Sequence, residues 1–147
     1  MLTIPFLLAA ITSAALATPP DAEGSGHTAS LEVRFEGIEV PSGQVMLALF
    51  DSESAYGEDE EPVRAATVRV ESDQAIAQFT GLAPGSYAVK AFHDIDGDGQ
   101  MATNPFGLPL EPFAFSNNAK PEGGPARWEA ARFAVEPGVN RISITIK

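Results

Sequence analysis

The chain has 147 residues, of which 44% are hydrophobic and 20% charged, and this suits one globular domain with a core of its own. Nine basic residues against 20 acidic ones give a net charge of −11, which excludes a nucleic-acid role and favours cations or basic partners. The chain contains no cysteine, so no disulfide supports the fold.

The first residues, MLTIPFLLAAITSAALATPP, have the pattern of a secretory signal peptide. An apolar run from Ile4 to Ile11 leads into small residues and an A-x-A site that ends at Ala17. We predict a signal peptide over residues 1–17, cleaved before Thr18, and a secreted or periplasmic protein. A membrane anchor is the alternative, but the segment is shorter than the roughly 20 apolar residues that span a bilayer. No membrane span is therefore expected after cleavage.

Residues 18–30 are rich in Pro, Gly and Ser and predict a flexible leader, so the domain itself is predicted over residues 31–147. From Leu31 onward, apolar and polar residues alternate as in a strand with one buried face. The same pattern predicts seven strands and no helix outside the signal. The first begins at Leu31, and the others are Val45–Phe50, Ala66–Val70, Ile76–Phe79, Tyr87–His93, Trp128–Val135 and Ile142–Ile146.

The joints between these strands carry turn residues. Pro84-Gly85 and Pro137-Gly138 both predict type II turns, in which proline fixes one φ angle and glycine supplies a positive one. Short strands joined by such turns indicate an all-β fold, a single antiparallel β-sandwich with a long loop between its fifth and sixth strands.

The segment HDIDGDGQMATNPFG follows the fifth strand and contains the clearest candidate site. Asp94, Asp96, Asp98 and Gly99 match D-x-D/N-x-D/N-G, the first half of an EF-hand loop. Carboxylates at alternate positions converge on a hard cation when glycine permits the turn. Pro105 stands where an EF-hand needs its bidentate glutamate, so the loop is not an EF-hand.

We therefore predict a Ca²⁺ site outside the EF-hand context, and Mg²⁺ is less suited because all-protein cages fit it poorly. Glu111 or Asn104 would fold back to complete the shell. The predicted ligands are the side chains of Asp94, Asp96, Asp98 and Glu111 and the backbone carbonyl of Gln100. The alternative is a solvated acidic turn without a metal, since Asp-Gly pairs form tight turns on their own.

About 34 residues separate the fifth strand from the sixth, more than structureless loops usually reach. This segment is rich in large apolar residues, which argues against disorder. We expect it to fold back over the sheet or over an edge strand through its five large apolar side chains, Phe106, Leu108, Leu110, Phe113 and Phe115.

His93, beside Asp94, is the only histidine in the predicted domain. A His-Asp-Ser constellation with Ser116 would make the protein a hydrolase, but no nucleophile elbow or oxyanion motif accompanies it. We expect His93 to be hydrogen-bonded within the loop, and we predict no catalytic residue.

The stretch FTGLAPGSYAVKAFHDIDGDGQMATNPFGLPLEPFAFSNNA resembles the exported bacterial proteins grouped as domain of unknown function 2141. That family has Leu-Pro-Pro-Gly-x-Tyr-Ala, then His-Asp-x-Asn/Asp-x-Asn/Asp-Gly, Asn-x-x-Gly-x-Pro-x-Glu and Phe-Ser-Asn-Asn. Ala83 replaces the first proline here, and Ala102 replaces an acid that is often found there. The Pro-Gly-x-Tyr hairpin is also similar to that of prealbumin-like sandwiches. The resemblance implies a secreted immunoglobulin- or prealbumin-like β-sandwich of unknown activity.

These observations together predict an exported, non-enzymatic module with a binding or structural role at the cell envelope. Its partner would be a protein or a glycan of unknown identity. The competing hypothesis is a hydrolase that uses His93 and nearby carboxylates.

Overall fold

The computed structural model describes residues 28–57 and 60–147. The predicted signal peptide, the cleavage site before Thr18 and most of the predicted leader lie outside the described residues. The described chain is mostly β, with eight strands and two short α-helices, so the prediction of no helix outside the signal is wrong and the count of seven strands is not confirmed. In order, the elements are β1 (Ala29–Glu36), β2 (Gln44–Phe50), α1 (Glu53–Tyr56), β3 (Arg64–Arg69), β4 (Gln74–Leu82), β5 (Gly85–Asp94), β6 (Phe113–Phe115), α2 (Trp128–Ala131), β7 (Phe133–Val135) and β8 (Gly138–Thr145). Neither of these helices has the length and apolar character needed to cross a bilayer.

The described strands form two sheets. The first has the order β4-β1-β8, with β1 antiparallel to β4 and parallel to β8, so the prediction of a purely antiparallel fold is wrong for this pair. The second has the order β3-β2-β5-β6, and β7 pairs with the first residues of β5. Buried residues from both sheets form one hydrophobic cluster, which includes Val33, Leu47, Val89 and Ile144. The alternation in the sequence therefore marks the faces that meet in the core.

The register between β2 and β5 fixes the position of the candidate site. Gln44 is paired with Asp94, and Phe50 is paired with Ala88. The loop after Phe50 and the loop after Asp94 consequently leave opposite ends of this sheet. The acidic loop thus lies beside the start of β2.

The predicted strand Trp128–Val135 is wrong in its first half, where the chain forms helix α2, and only Phe133–Val135 is a strand. The Ser116 hydroxyl donates to the carbonyl of Ala131, the last residue of the helix, at 2.6 Å. This contact satisfies a carbonyl that has no partner within the helix. Because the donor comes from another part of the chain, the local pattern gave no indication of it.

The two predicted type II turns have different outcomes. Gly138 has a φ of +95°, as the second central residue of such a turn requires. Gly85 does not have a positive φ; instead Gly81, at the end of β4, has a φ of +67°. The first turn was therefore predicted with the wrong geometry.

The long loop between β5 and α2 contains regular structure that the sequence did not predict. Phe113–Phe115 forms β6 and pairs with β5, and Phe115 is buried. By contrast, Phe106, Leu108 and Leu110 are 89%, 60% and 65% exposed, so the prediction that they fold back over the sheet is wrong. Residues 102–110 form a hairpin in which Thr103 lies opposite Pro109. The N–H of Asn104 donates to the carbonyl of Leu108, and that of Leu110 donates to the carbonyl of Ala102, so the hairpin is closed by its own hydrogen bonds.

Candidate functional site

The candidate site is built around Asp94, the last residue of β5, whose side chain is fully buried. The N–H groups of Gly97 and Asp98 donate to its Oδ1 at 3.0 and 3.2 Å. The N–H of Gly99 and the side-chain amide of Gln44 donate to its Oδ2 at 2.9 and 2.8 Å. A carboxylate has about four lone-pair positions, so these four donors use most of the acceptor capacity of Asp94. The carboxylate therefore sets the path of the acidic turn.

Glu111 closes the same region from the other side and is only 9% exposed. Its Oε1 accepts the N–H of Ile95 at 2.9 Å, and its Oε2 accepts the N–H of Ala102 at 3.0 Å. Glu111 thus links the start of the acidic turn to the base of the 102–110 hairpin. Among the described residues, no buried side-chain nitrogen or oxygen lacks a hydrogen-bond partner.

Three of the predicted metal ligands lie together. One carboxylate oxygen from each of Asp94, Asp96 and Glu111 lies within 4.8 Å of the other two. Asp98 lies outside this group, and its carboxylate accepts the N–H of Gln100 at 2.8 Å. Asp96 is exposed, and each oxygen of Glu111 accepts one of the hydrogen bonds described above, so these two carboxylates keep lone pairs that can bind a cation.

Asn104, the other residue expected to complete a metal shell, has a different role. Its side-chain oxygen accepts the N–H groups of Phe106 and Leu108 at 2.9 and 3.0 Å. These bonds close the tip of the hairpin. The carboxamide oxygen is therefore directed into its own turn.

The clustering of carboxylates changes their acidity in opposite directions. Burial raises the pKa of Asp94, but hydrogen bonds from Gln44 and the loop N–H groups outweigh it and hold this pKa below its ordinary value. The N–H of Asp98 lowers the pKa of Asp96, but desolvation, the hydrogen bond to Asp94 and the charges of Asp98 and Glu111 together raise it above its ordinary value. The negative charge is therefore held on Asp94 and disfavoured on Asp96.

His93 is 1% exposed and is hydrogen-bonded within the fold. Its Nε2 donates to the carbonyl oxygen of Ser42 at 2.7 Å, and its backbone N–H donates to the carbonyl of Pro112 at 2.8 Å. The imidazole thus connects β5 to the segment before β2. Two open grooves of about 440 and 520 Å³ are lined by other residues.

Ser116, the nucleophile of the hydrolase hypothesis, is also buried. Its hydroxyl accepts the N–H of Val89 at 2.9 Å while it donates to Ala131. The preceding residue, Phe115, pairs with Lys90, three positions along β5 from His93, which is roughly 10 Å at 3.3 Å per residue. Ser116 and His93 are therefore too far apart for the hydrogen bond that activates a serine.

Residues 33–143 match the model of a protein family described as an uncharacterised protein conserved in bacteria, DUF2141. The chain belongs to this family. The match includes the acidic turn, the hairpin and the Phe-Ser-Asn-Asn segment, and it confirms the resemblance seen in the sequence. Searches of curated proteins and of solved structures gave no match.

In this DUF2141 chain, the Phe-Ser-Asn-Asn segment (residues 115–118) is a structural junction. Asn117 and Asn118 have φ angles of 58° and 51°, a left-handed conformation that asparagine tolerates better than most residues. The side chain of Asn117 donates to the carbonyl of Arg132 at 2.7 Å, and that of Asn118 accepts the N–H of Thr145 at 2.8 Å. The segment therefore ties β6 to the end of α2 and to β8.

Sequence reasoning missed Gln44, although its amide is a direct partner of the Asp94 carboxylate. The two residues are 50 positions apart and meet only through the β2–β5 register. A polar residue at a strand start gives no local sign of such a contact. The register of the sheet is the only feature that places Gln44 in the site of this DUF2141 domain.

Proposed function

We propose that this chain is an exported, non-enzymatic β-sandwich of the immunoglobulin- or prealbumin-like kind, with a binding or structural role at the cell envelope and an acidic loop that binds Ca²⁺. The observation that carries the proposal is the approach of Asp94, Asp96 and Glu111 within 4.8 Å. Ca²⁺ takes several oxygen ligands in flexible geometry, and this group offers carboxylate oxygens alone.

The residues present fit a cation that bridges parts of one loop. Glu111 and Asp96 would hold it through their remaining lone pairs, and the negative charge of the Asp94 carboxylate beside them would attract it. Since Glu111 also binds the base of the hairpin, the cation would join the acidic turn to that hairpin. Its charge would offset the repulsion that raises the pKa of Asp96.

The burial of His93 and Ser116 supports a non-enzymatic role. Both polar groups are engaged in hydrogen bonds that hold strands and turns together. Export is supported by the signal-peptide pattern of residues 1–17, and the net charge of −11 favours a basic protein or glycan as partner.

Ca²⁺ should raise the melting temperature of the protein, with Mg²⁺ much less effective. A ligand at 100 times its dissociation constant adds about 2.7 kcal/mol to stability. For a domain of this size, that corresponds to roughly 10 °C in melting temperature. Differential scanning calorimetry in EDTA, in Ca²⁺ and in Mg²⁺ measures the effect.

Two matched variants locate the binding group. Asp96→Asn should lose most of the Ca²⁺ response and should melt at the parent temperature or higher in EDTA, because it removes one of several repelling charges. Asp98→Asn should keep the Ca²⁺ response, since Asp98 lies outside the carboxylate group. Identical melting curves for the parent in EDTA and in millimolar Ca²⁺ would show that the loop is only an acidic turn.

Mass spectrometry of the protein recovered from a bacterial host should find Thr18 at the N-terminus. This outcome follows from the A-x-A site that ends at Ala17. Recovery of chain that still begins at Met1, in the membrane fraction, would contradict cleavage and favour the anchor.

A further inference from the structure

The hairpin of residues 102–110 carries an apolar, uncharged tip. Phe106 is 89% exposed, Leu110 65% and Leu108 60%, and the sequence from Met101 to Leu110 contains no charged residue. Large apolar side chains grouped on a protruding turn are unusual on a soluble surface and mark an interaction site. The hairpin stands at the end of the molecule that bears the acidic loop, because Glu111 binds its base at Ala102.

The backbone N–H groups of this tip are already hydrogen-bonded within the hairpin. The N–H groups of Asn104, Gly107 and Leu110 donate to carbonyls of the hairpin at 2.8 to 2.9 Å. Those of Phe106 and Leu108 donate to the side chain of Asn104. The two remaining residues, at positions 105 and 109, are prolines and have no N–H. From 104 to 110, therefore, no N–H needs water, and this removes the donor share of the cost of moving a backbone segment out of water.

We propose that this hairpin is a lipid-docking element that inserts Phe106, Leu108 and Leu110 into the interfacial region of a zwitterionic phospholipid bilayer. An exposed apolar tip with no free N–H fits the boundary between the headgroups and the acyl chains, where carbonyls still meet water. The charge of the protein determines which lipid headgroup is favoured. A net charge of −11 and the exposed Asp96 and Asp98 beside the hairpin disfavour an anionic membrane surface. The inference is independent of Ca²⁺ binding, and its test is carried out in EDTA.

The test uses the full chain and places a fluorescent reporter at each of the two opposite ends of the folded molecule. Phe106→Trp labels the hairpin, and Val139→Trp labels a 70% exposed position at the opposite end, where β8 begins beside Ala29. Both variants are mixed with phosphatidylcholine vesicles whose acyl chains are brominated, and the signal of Trp128 in the parent chain is subtracted. We expect a blue shift and quenching of Trp emission for Phe106→Trp and neither for Val139→Trp.

A second measurement uses vesicle sedimentation. Phe106→Ser should weaken the partition onto phosphatidylcholine by about tenfold or more, while Val139→Ser leaves it unchanged. Both should keep the parent melting temperature, because the two positions are exposed. Replacing part of the phosphatidylcholine by phosphatidylglycerol should reduce binding at low salt, and added salt should reverse that reduction.

Each other outcome overturns the proposal. Quenching at position 139 alone would mean that the molecule meets the membrane by its other end. Quenching at neither position would assign the tip to an apolar pocket of a protein partner. Stronger binding to anionic vesicles in EDTA would refute the zwitterionic preference.

Discussion

Gly43→Ala should lower the free energy of unfolding by about 4 kcal/mol or more, enough to leave much of the protein unfolded. Gly43 has a φ of +70°, a left-handed backbone conformation that residues other than glycine rarely adopt. A Cβ added there would also collide with the carbonyl oxygen of Asp94 and would lie 2.6 Å from that of Ile95. Both are backbone atoms at the start of the acidic turn and cannot swing aside. The strand and the turn would have to separate.

Gly81→Ala is the matched control. Its φ is +67°, but a Cβ added there meets no atom within 4 Å. This variant should show only the backbone penalty, about 1–2 kcal/mol. Urea denaturation of the two variants therefore separates strain at a left-handed residue from the close packing of Gly43 on the loop. An equal loss of stability in both would mean that the turn yields to the added methyl group.

The strands could be predicted from the sequence because each half-buried strand leaves a period of two. In β1, every second residue from Ala29 to Phe35 is buried, and the alternation around Leu31 shows this directly. The acidic turn could be predicted for a similar reason, since its Asp and Gly residues act within a few positions of one another. The approach of Glu111 to that turn was also expected, and the structure brings it there.

Features that depend on distant parts of the chain could not be predicted. Gln44 reaches Asp94 through sheet register, and helix α2 ends against the Ser116 hydroxyl. The hairpin tip was expected to fold back over the sheet or over an edge strand because large apolar residues are usually buried. The local hydrogen bonds of Asn104 hold it in solvent instead. The composition of a segment indicates how strongly its side chains favour burial. Whether the segment packs against the core also depends on the hydrogen bonds that it forms within itself.

Asp94→Ala should lower the melting temperature by about 10 °C or more in EDTA, and Asp98→Ala should change it by no more than about 3 °C. The first variant removes the acceptor for four donors at a buried position. A buried donor without an acceptor has given up its hydrogen bonds to water and forms none in the protein, and this lowers the free energy of unfolding. The second variant removes the same chemical group from the same turn. The carboxylate of Asp98 is exposed, however, and there it accepts the N–H of Gln100.

The pH dependence of the melting temperature shows whether the negative charge of Asp94 stabilises the turn, or only its shape. The pKa of Asp94 is held below its ordinary value of 3.8, so its stabilisation is fully present above that pH and is lost as the pH falls through the lowered pKa of the folded state. The isosteric Asp94→Asn variant cannot ionise and places an amide against the Gly99 and Gln44 donors. Its melting temperature should be well below that of the parent at pH 7, and the gap should narrow as the pH falls below 3.8. A gap that stays constant down to pH 2 would mean that the charge of Asp94 does not stabilise the turn, and that its effect comes from shape alone.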